Sequence, residues 1–435
     1  MANNKKWIAL VMAVILVGTM LSGVAMAEKD VITINVWGGT PEEGGPGAIV
    51  EAYNALNTGI QIVYTRYVND ESGNTKLDTA LLSGADIDIF MSHGPDRFSN
   101  RLTSGMCEDL TPYLTEAGID VERDFGVSYA RMDGKDYAIP VTDAADFIWL
   151  NKDMVEAAGL TVPTEWTFEE YRNYAKALTN GDGENKVFGS IVQVAWPNMW
   201  MKPAQVALGG DSASDKYVFD LENEYFTKSL QWRYDMEVID QSQVPVTLQK
   251  TSKIAMQDMF FPGKAAMMYG GSWLIRYAKN TTDYPHDFVS AFAPLPRWDD
   301  QSGYFNSAGS ADEYMAINPK SAKKDAAFVV LKYWATEGYY PACAFGKIPA
   351  WKNADPDKVL ALVLGENADE LFDVETVKRV LFDDFNYFTT PMVPCRSEVA
   401  VALEREADKC LSGEQSVEEA IENMKTAAES IVSMQ

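Results

Sequence analysis

The chain carries only two histidines in 435 residues, His93 and His286, and only four cysteines, Cys107, Cys343, Cys395 and Cys410. It contains no G-x-S-x-G elbow, no H-E-x-x-H pair and no phosphate-binding P-loop, so the common hydrolase, metalloprotease and nucleotide-binding signatures are missing. The cysteines are too few and too scattered for a disulfide scaffold, and none has the C-x-x-C spacing of a zinc site. A helix over 397–411 rises about 20 Å, which places Cys395 and Cys410 too far apart to bridge. If a bridge forms it is Cys343–Cys395; the alternative is four reduced, mostly buried thiols. No cofactor or metal is implied. The loop Asn180-Gly-Asp-Gly-Glu-Asn185 has calcium-loop chemistry but lacks the spaced ligands and terminal Glu of an EF-hand, and it reads as a turn.

Long apolar runs are also scarce, since one alone stands out, Trp7 to Ala27. Lys5 and Lys6 precede it and Ala25-Met26-Ala27 ends it, which is the pattern of a cleaved secretory signal over residues 1–27. An uncleaved anchor helix is the alternative reading. Leu21-Ser22-Gly23 begins a lipoprotein signal, but Val24 stands where the lipidated cysteine belongs. The expected location is therefore outside the cytoplasm, in a periplasm or at the cell surface, without a lipid anchor. Basic charge is short too: 37 Lys and Arg against 63 Asp and Glu leave a formal charge of −26. Such a surface repels nucleic acid and anionic lipid.

What is present is a sizeable apolar fraction, 47%, in a chain too long for one ordinary domain. Val31–Trp37, Ile60–Tyr64 and Ile87–Met91 read as strands. They alternate with helical stretches at about 46–56 and 75–82. That alternation predicts an α/β fold with a parallel-rich sheet, ligands lying beyond the carboxyl ends of its strands. Trp37 and the loop 92–98 fall at such ends. Thr167 with Glu170, and Ser416 with Glu419, form capping boxes at two helix starts. Ala326, Val330, Tyr333 and Trp334 share one face of a further helix.

Aromatics are plentiful, with 11 Trp and 20 Tyr. Trp37, Trp196, Trp200 and Trp273 sit beside Gly, Pro or Asn, where a ring can meet a ligand rather than the core. Sugars offer C–H faces to such rings and hydroxyls to nearby Asp, Asn and Arg, which suits a pocket of apolar walls and few polar groups. Core packing is the competing reading for each ring. His93 follows a strand and is either a ligand contact or a solvent-facing loop residue. A secreted glycosidase needs only two carboxylates, and this enzyme class stays as an alternative.

Several segments together resemble the maltose-binding-protein-like group of extracytoplasmic solute-binding proteins that serve carbohydrate ABC transporters. They include Lys76 to Phe90, Asp96-Arg-Phe98, Glu108-Asp-Leu-Thr-Pro112, Gly134 to Pro140, Leu150-Asn-Lys-Asp153 and Trp166 to Tyr171. Phe261-Pro-Gly-Lys-Ala-Ala-Met267 followed by Gly271-Ser-Trp273 is the most telling, with Ala293 to Pro296 and Ser321 to Glu337 following in order. The resemblance implies a two-lobed periplasmic-binding-protein fold of type II. Lobe I takes 28–142 and 297–343, and lobe II takes 143–296 and 344–435. Hinges are expected near Val141–Ala144 and Ala293–Pro296, and partners are a carbohydrate ligand and membrane permease subunits, met by a monomer. Asp96 and Arg97 occupy positions that hydrogen-bond sugar hydroxyls, Trp273 matches a stacking Trp, and Asp143 lies within one position of an acidic contact. Maltose binders place another Trp near 394–399, whereas this chain has Arg396 and Glu398. That departure points to a smaller or more polar sugar, with an acid group facing Arg396.

Overall fold

The computed structural model describes residues 31–434 apart from 127–129, 195–197, 211–212, 301–306, 383–384 and 388–394, and gives only the backbone of 95–96, 145, 213, 307–311 and 385–387. The signal segment and Trp196 thus lie outside the described residues. The principal strands are β1 (Ile32–Gly38), β2 (Ile60–Arg66), β3 (Ile89–Ser92), β4 (Ile139–Asn151), β5 (Phe188–Val192), β6 (Ala265–Gly271), β7 (Ser290–Ala293), β8 (Ser307–Ile317), β9 (Ile348–Pro349) and β10 (Phe385–Tyr387). The principal helices are α1 (Pro46–Ala55), α2 (Glu71–Ser83), α3 (Pro95–Thr103), α4 (Phe168–Leu178), α5 (Lys202–Leu208), α6 (Glu224–Tyr234), α7 (Lys324–Ala335), α8 (Val374–Phe382), α9 (Arg396–Leu411) and α10 (Val417–Val432).

Among the described residues the strands join in the order β2-β1-β3-β8-β4-β6-β5, with β7 and β9 on β4 and β10 on β8. The first strands pair in parallel, as the alternation predicts. The sheet as a whole is mixed, because β8 runs antiparallel to both β3 and β4. The alternation was informative only for the first strands; β4 and β8 meet across more than 150 residues of intervening chain, beyond the reach of any local pattern.

Strand β4 changes partners along its length. Residues 139–146 pair with β8, whereas 146–150 pair with β6 and 148–151 with β7. One strand therefore belongs to both halves of a two-lobed molecule. Its exchange point is Asp146, which registers with Ala308 on one side and Gly271 on the other. Both faces of β4 are buried beyond that point. Phe147 and Trp149 enter one apolar cluster and Ile148 and Leu150 another. This explains the unbroken apolar run: a strand covered on both sides shows no polar alternation. Trp149 anchors the first cluster through Phe292 and Phe147, with ring centroids 4.4 and 6.0 Å away. A third cluster lies in a helical layer, where α9 and α10 pack on α6 through Val399, Leu403, Ile421, Met424 and Leu230.

Both capping boxes form. Thr167 accepts from the Glu170 N–H at 3.1 Å, and Ser416 from the Glu419 N–H at 3.1 Å. Helix α2 starts earlier than its apolar face indicates, because Asp70 accepts from the Gly73 N–H at 2.8 Å. Gly73 is required there, since a Cβ would lie 1.8 Å from the Val68 carbonyl oxygen. The Asn180–Asn185 loop is a turn, closed by paired Asn180 and Val187. All four cysteines are free and buried, so the bridge Cys343–Cys395 is not formed. Burial pushes the Cys107 and Cys343 thiols up to about 12, which keeps them protonated and unreactive.

After Ala293–Pro296, where a hinge is expected, the chain keeps its contacts with the β4–β6 half. Arg297 accepts from the Phe168 N–H at 2.9 Å, Trp298 packs on Phe168 at 4.8 Å, and Asp300 pairs with Lys228 at 2.8 Å. The chain is thus held on the β4–β6 half as far as Asp300, by one aromatic and one ionic contact.

Candidate functional site

The candidate site is assembled from strand ends. Strand β1 runs out at Gly38 and β3 at Ser92, both at the carboxyl edge of the sheet. The edge is rigidly backed. Arg101 is almost fully buried and donates to Ser92 at 2.6 Å, to Asn74 at 2.7 Å and to Asp78 at 2.6 Å. Three donations from one planar guanidinium fix β3, α2 and α3 together. Arg97 therefore projects from a braced helix; its Nη1 donates to Asn69 at 2.8 Å. The Asp96 side chain is outside the described residues. Trp37 is half-buried at the end of β1, against the cluster of Tyr67, Phe90, Phe98 and Tyr314.

Behind this edge lies a charged floor that the sequence did not announce. Glu313 is 4% exposed, yet its carboxylate accepts from Thr40 at 2.6 Å and Thr142 at 2.7 Å and pairs with Lys347 at 2.5 Å. The Tyr339 hydroxyl lies 3.3 Å from the same carboxylate and within hydrogen-bond reach of Thr142. Burial by itself would raise the Glu313 pKa. The Lys347 ammonium and the donated hydrogen bonds outweigh it and hold the carboxyl well below its usual range. Its neighbour Asp312 accepts from the Gly94 N–H at 2.8 Å, tying β8 to the loop that leads into α3.

His93 is not the solvent-facing residue that was one of its two readings. Its side chain is 12% exposed, with Nδ1 4.0 Å from Asp312. It fits because Gly39 has no side chain; a Cβ there would stand 2.8 Å from the His93 Nε2. Burial pushes its pKa down against the pull of Asp312, so the ring is neutral near pH 7.

The other half of the sheet supplies the facing wall. Asp146, at the partner exchange, pairs with Lys202 of α5 at 2.9 Å. Gly271 registers with Asp146, and Trp273 follows two residues later. Trp273 is half-buried; the Arg276 guanidinium lies 5.8 Å from its ring centroid and Tyr277 meets it edge-on at 6.0 Å. Asp143 is buried on β4, its backbone registered with Ala311 and Ile348. Trp37, Arg97 and Trp273 thus lie at or just beyond the ends of β1, β3 and β6, and Asp143 lies within β4, three residues before the partner exchange.

Two candidates lie elsewhere. Trp200 is 2% exposed within the third cluster, its indole N–H donating to Asn198 at 3.1 Å and its ring edge-on to Phe226. The Pro-Asn context resembled an open loop, but Asn198 takes a left-handed conformation, φ 59°, and turns the tryptophan inward. Arg396 is buried as well, its guanidinium 4.4 Å over the Phe219 ring. That stacking places the guanidinium on an aromatic face of the helical layer. Lys202, Asp312, Glu313 and Lys347 were missed by sequence reasoning. Thr142 and Glu313 are 171 positions apart, and neither lies in a motif.

Residues 39–341 match the model of a family described as bacterial extracellular solute-binding protein. Among solved structures, a sugar transporter from Rhizobium etli in an open conformation superposes with a TM-score of 0.72 at 21% identity, over 91% of this chain and 99% of that one. An ABC substrate-binding protein from Listeria monocytogenes in complex with cycloalternan gives 0.74 at 19% identity, over 92% and 99%. The maltose-bound MalE3 of T. maritima gives 0.72 at 18% identity, over 91% and 99%. At these identities the likeness is one of fold, and it is two-lobed.

The contrast between two tryptophans is testable by urea unfolding. Trp200→Ala should cost about 3–5 kcal/mol, as for a large core aromatic. Trp273→Ala, at a half-exposed ring, should cost clearly less. Equal losses would show that both rings are core.

Proposed function

The chain belongs to the bacterial extracellular solute-binding protein family, and on that premise we propose that it binds a sugar or oligosaccharide between its lobes and hands it to the permease subunits of an ABC importer. The observation that carries the proposal is the half-buried Trp273 platform, which follows the Asp146–Lys202 pair at the strand exchange. An aromatic face with fixed polar groups beside it matches the C–H and hydroxyl faces of a saccharide. Arg97, the Asp96 backbone position, Asp143 and Trp37 complete the proposed contact set. In this reading Trp200 and Arg396 act only as packing.

We read the molecule as a binder rather than a glycosidase. Glu313 is held ionised by Lys347 and cannot act as a general acid near neutral pH. The proposed lobes keep the sequence partition, with the exchange on β4 moved to Asp146 and the return crossing moved beyond Asp300. Closure of these lobes is the proposed response to ligand, because a molecule touching both sides stabilises only the conformation that joins them. Export through residues 1–27 and action as an unlipidated monomer, in a periplasm or at the cell surface, complete the proposal.

A thermal-shift panel of mono- and oligosaccharides should yield at least one stabilising sugar, a ligand at 100 times its Kd adding about 2.7 kcal/mol. With that sugar as titrant, Trp273→Ala should weaken binding by about 2 kcal/mol or more. Arg97→Ala should weaken it about tenfold, as for a lost charge-assisted hydrogen bond. Stabilisation by amino acids or peptides, and by no carbohydrate, would reject the substrate class.

Small-angle scattering gives a separate check. The radius of gyration should fall when the stabilising sugar is added at saturation. Superimposable curves with and without it would reject closure on the ligand.

A further inference from the structure

The lobes are joined through three stretches of chain: strand β4, strand β8, and the segment that carries Lys347 into β9. One buried carboxylate touches all three. Glu313 lies on β8 itself, accepts from Thr142 of β4 at 2.7 Å, and pairs with Lys347 at 2.5 Å. Through Thr40, at 2.6 Å, it also holds the turn after β1. Immediately after Lys347, Ile348 and Pro349 register with Asp143 and Thr142, and Ala350 donates to Val141 at 3.1 Å.

The backbone at this point is unusual as well. Glu313 has φ +51° inside a strand, and registered pairing of β8 with β4 skips it while holding at Asp312 and Tyr314. A non-glycine residue keeps a left-handed conformation only where its surroundings over-determine it. Here four partners do so. Breaking any of them would leave a buried charge or hydroxyl unsatisfied, so the node resists deformation.

Flexibility has a different address. On the far side of the node, towards the strand exchange, β4 reads Asp143-Ala-Ala-Asp146 and β8 reads Ser307-Ala-Gly-Ser-Ala311. Along the backbone, residues 143–146 of β4 register with 308–311 of β8, between the node and the point at which β4 passes to the other half.

We propose that Glu313 is the fixed pivot of lobe movement, a positioning residue that clamps the three connecting segments so that rotation is confined to the small-residue stretches 144–146 and 307–311. It does not touch ligand. It sets how narrowly the free molecule is held in one lobe arrangement. This proposal rests on the two-lobed fold and not on the identity of the solute, so it can fail while sugar binding stands.

The test uses the free, full-length protein. Spin labels on Glu71→Cys, in the β1–β3 half, and Thr247→Cys, in the β4–β6 half, sit at exposed positions, and the native thiols are buried. Double electron–electron resonance should give one narrow distance distribution. Glu313→Gln should lose it for a broad one. Because Lys347 then lacks its partner and the variant may not fold, Thr40→Val with Thr142→Val provides a second arm that keeps the ion pair and removes two ties; it too should broaden the distribution. Thr103→Val, which deletes a hydroxyl bonded at 2.9 Å to Ser99 away from the node, should leave it unchanged. A folded threonine variant with the parent's distribution would overturn the proposal. So would hydrogen exchange in the parent if the Tyr314 and Ala350 amides exchanged as fast as those of exposed loops.

Discussion

Buried backbone polar groups must be paired, and that single requirement shapes the connection between the two lobes. Strand β4 leaves one hydrophobic layer and enters another without passing through solvent. It satisfies its amides by pairing with β8 up to Asp146 and with β6 and β7 afterwards. The two lobes are therefore not beads on a linker. They share backbone hydrogen bonds, and residues near the shared stretch are held in place by both.

That sharing explains why polar side chains collect where they do. Along the β4–β8 ladder buried carboxylates are accommodated because a cation answers them. Asp146 is answered by Lys202 and Glu313 by Lys347. Buried ion pairs of this kind add little net stability compared with apolar packing, but removing one partner is costly. Their value is in position. They fix the chain near the half-buried ring of Trp273 and the helix that carries Arg97, so under the proposed function the polar surroundings of a solute are set before it arrives.

Much of the scaffold was legible because its determinants are local. The first three strands, both capping boxes and the apolar face of α7 follow from spacing within a dozen residues. The two-lobed fold was legible through ordered segments resembling a known family, above all Phe261–Met267 with Trp273. The site was legible only in part. Trp200 and Trp273 both follow turn-forming residues, but the left-handed Asn198 folds one ring into the helical layer while the other stays half-open. Arg396 stacks on Phe219, a contact that could not be read from the sequence because Phe219 lies far away along the chain. His93 turned inward because of the missing side chain at Gly39. The Glu313 cluster gathers Thr40, Thr142, Tyr339 and Lys347 from four separated segments. No periodicity encodes such a meeting; it is decided by the sheet order.

Under the proposed function this molecule holds an intact saccharide reversibly between its lobes. Native mass spectrometry of the protein mixed with a saccharide series, sampled immediately and after prolonged incubation, tests it most directly. The expected result is a one-to-one non-covalent complex with at least one sugar, at the mass of the unaltered saccharide, whose abundance and mass do not change with time. Absence of any saccharide complex, or a bound mass that shortens as the incubation proceeds, would contradict it.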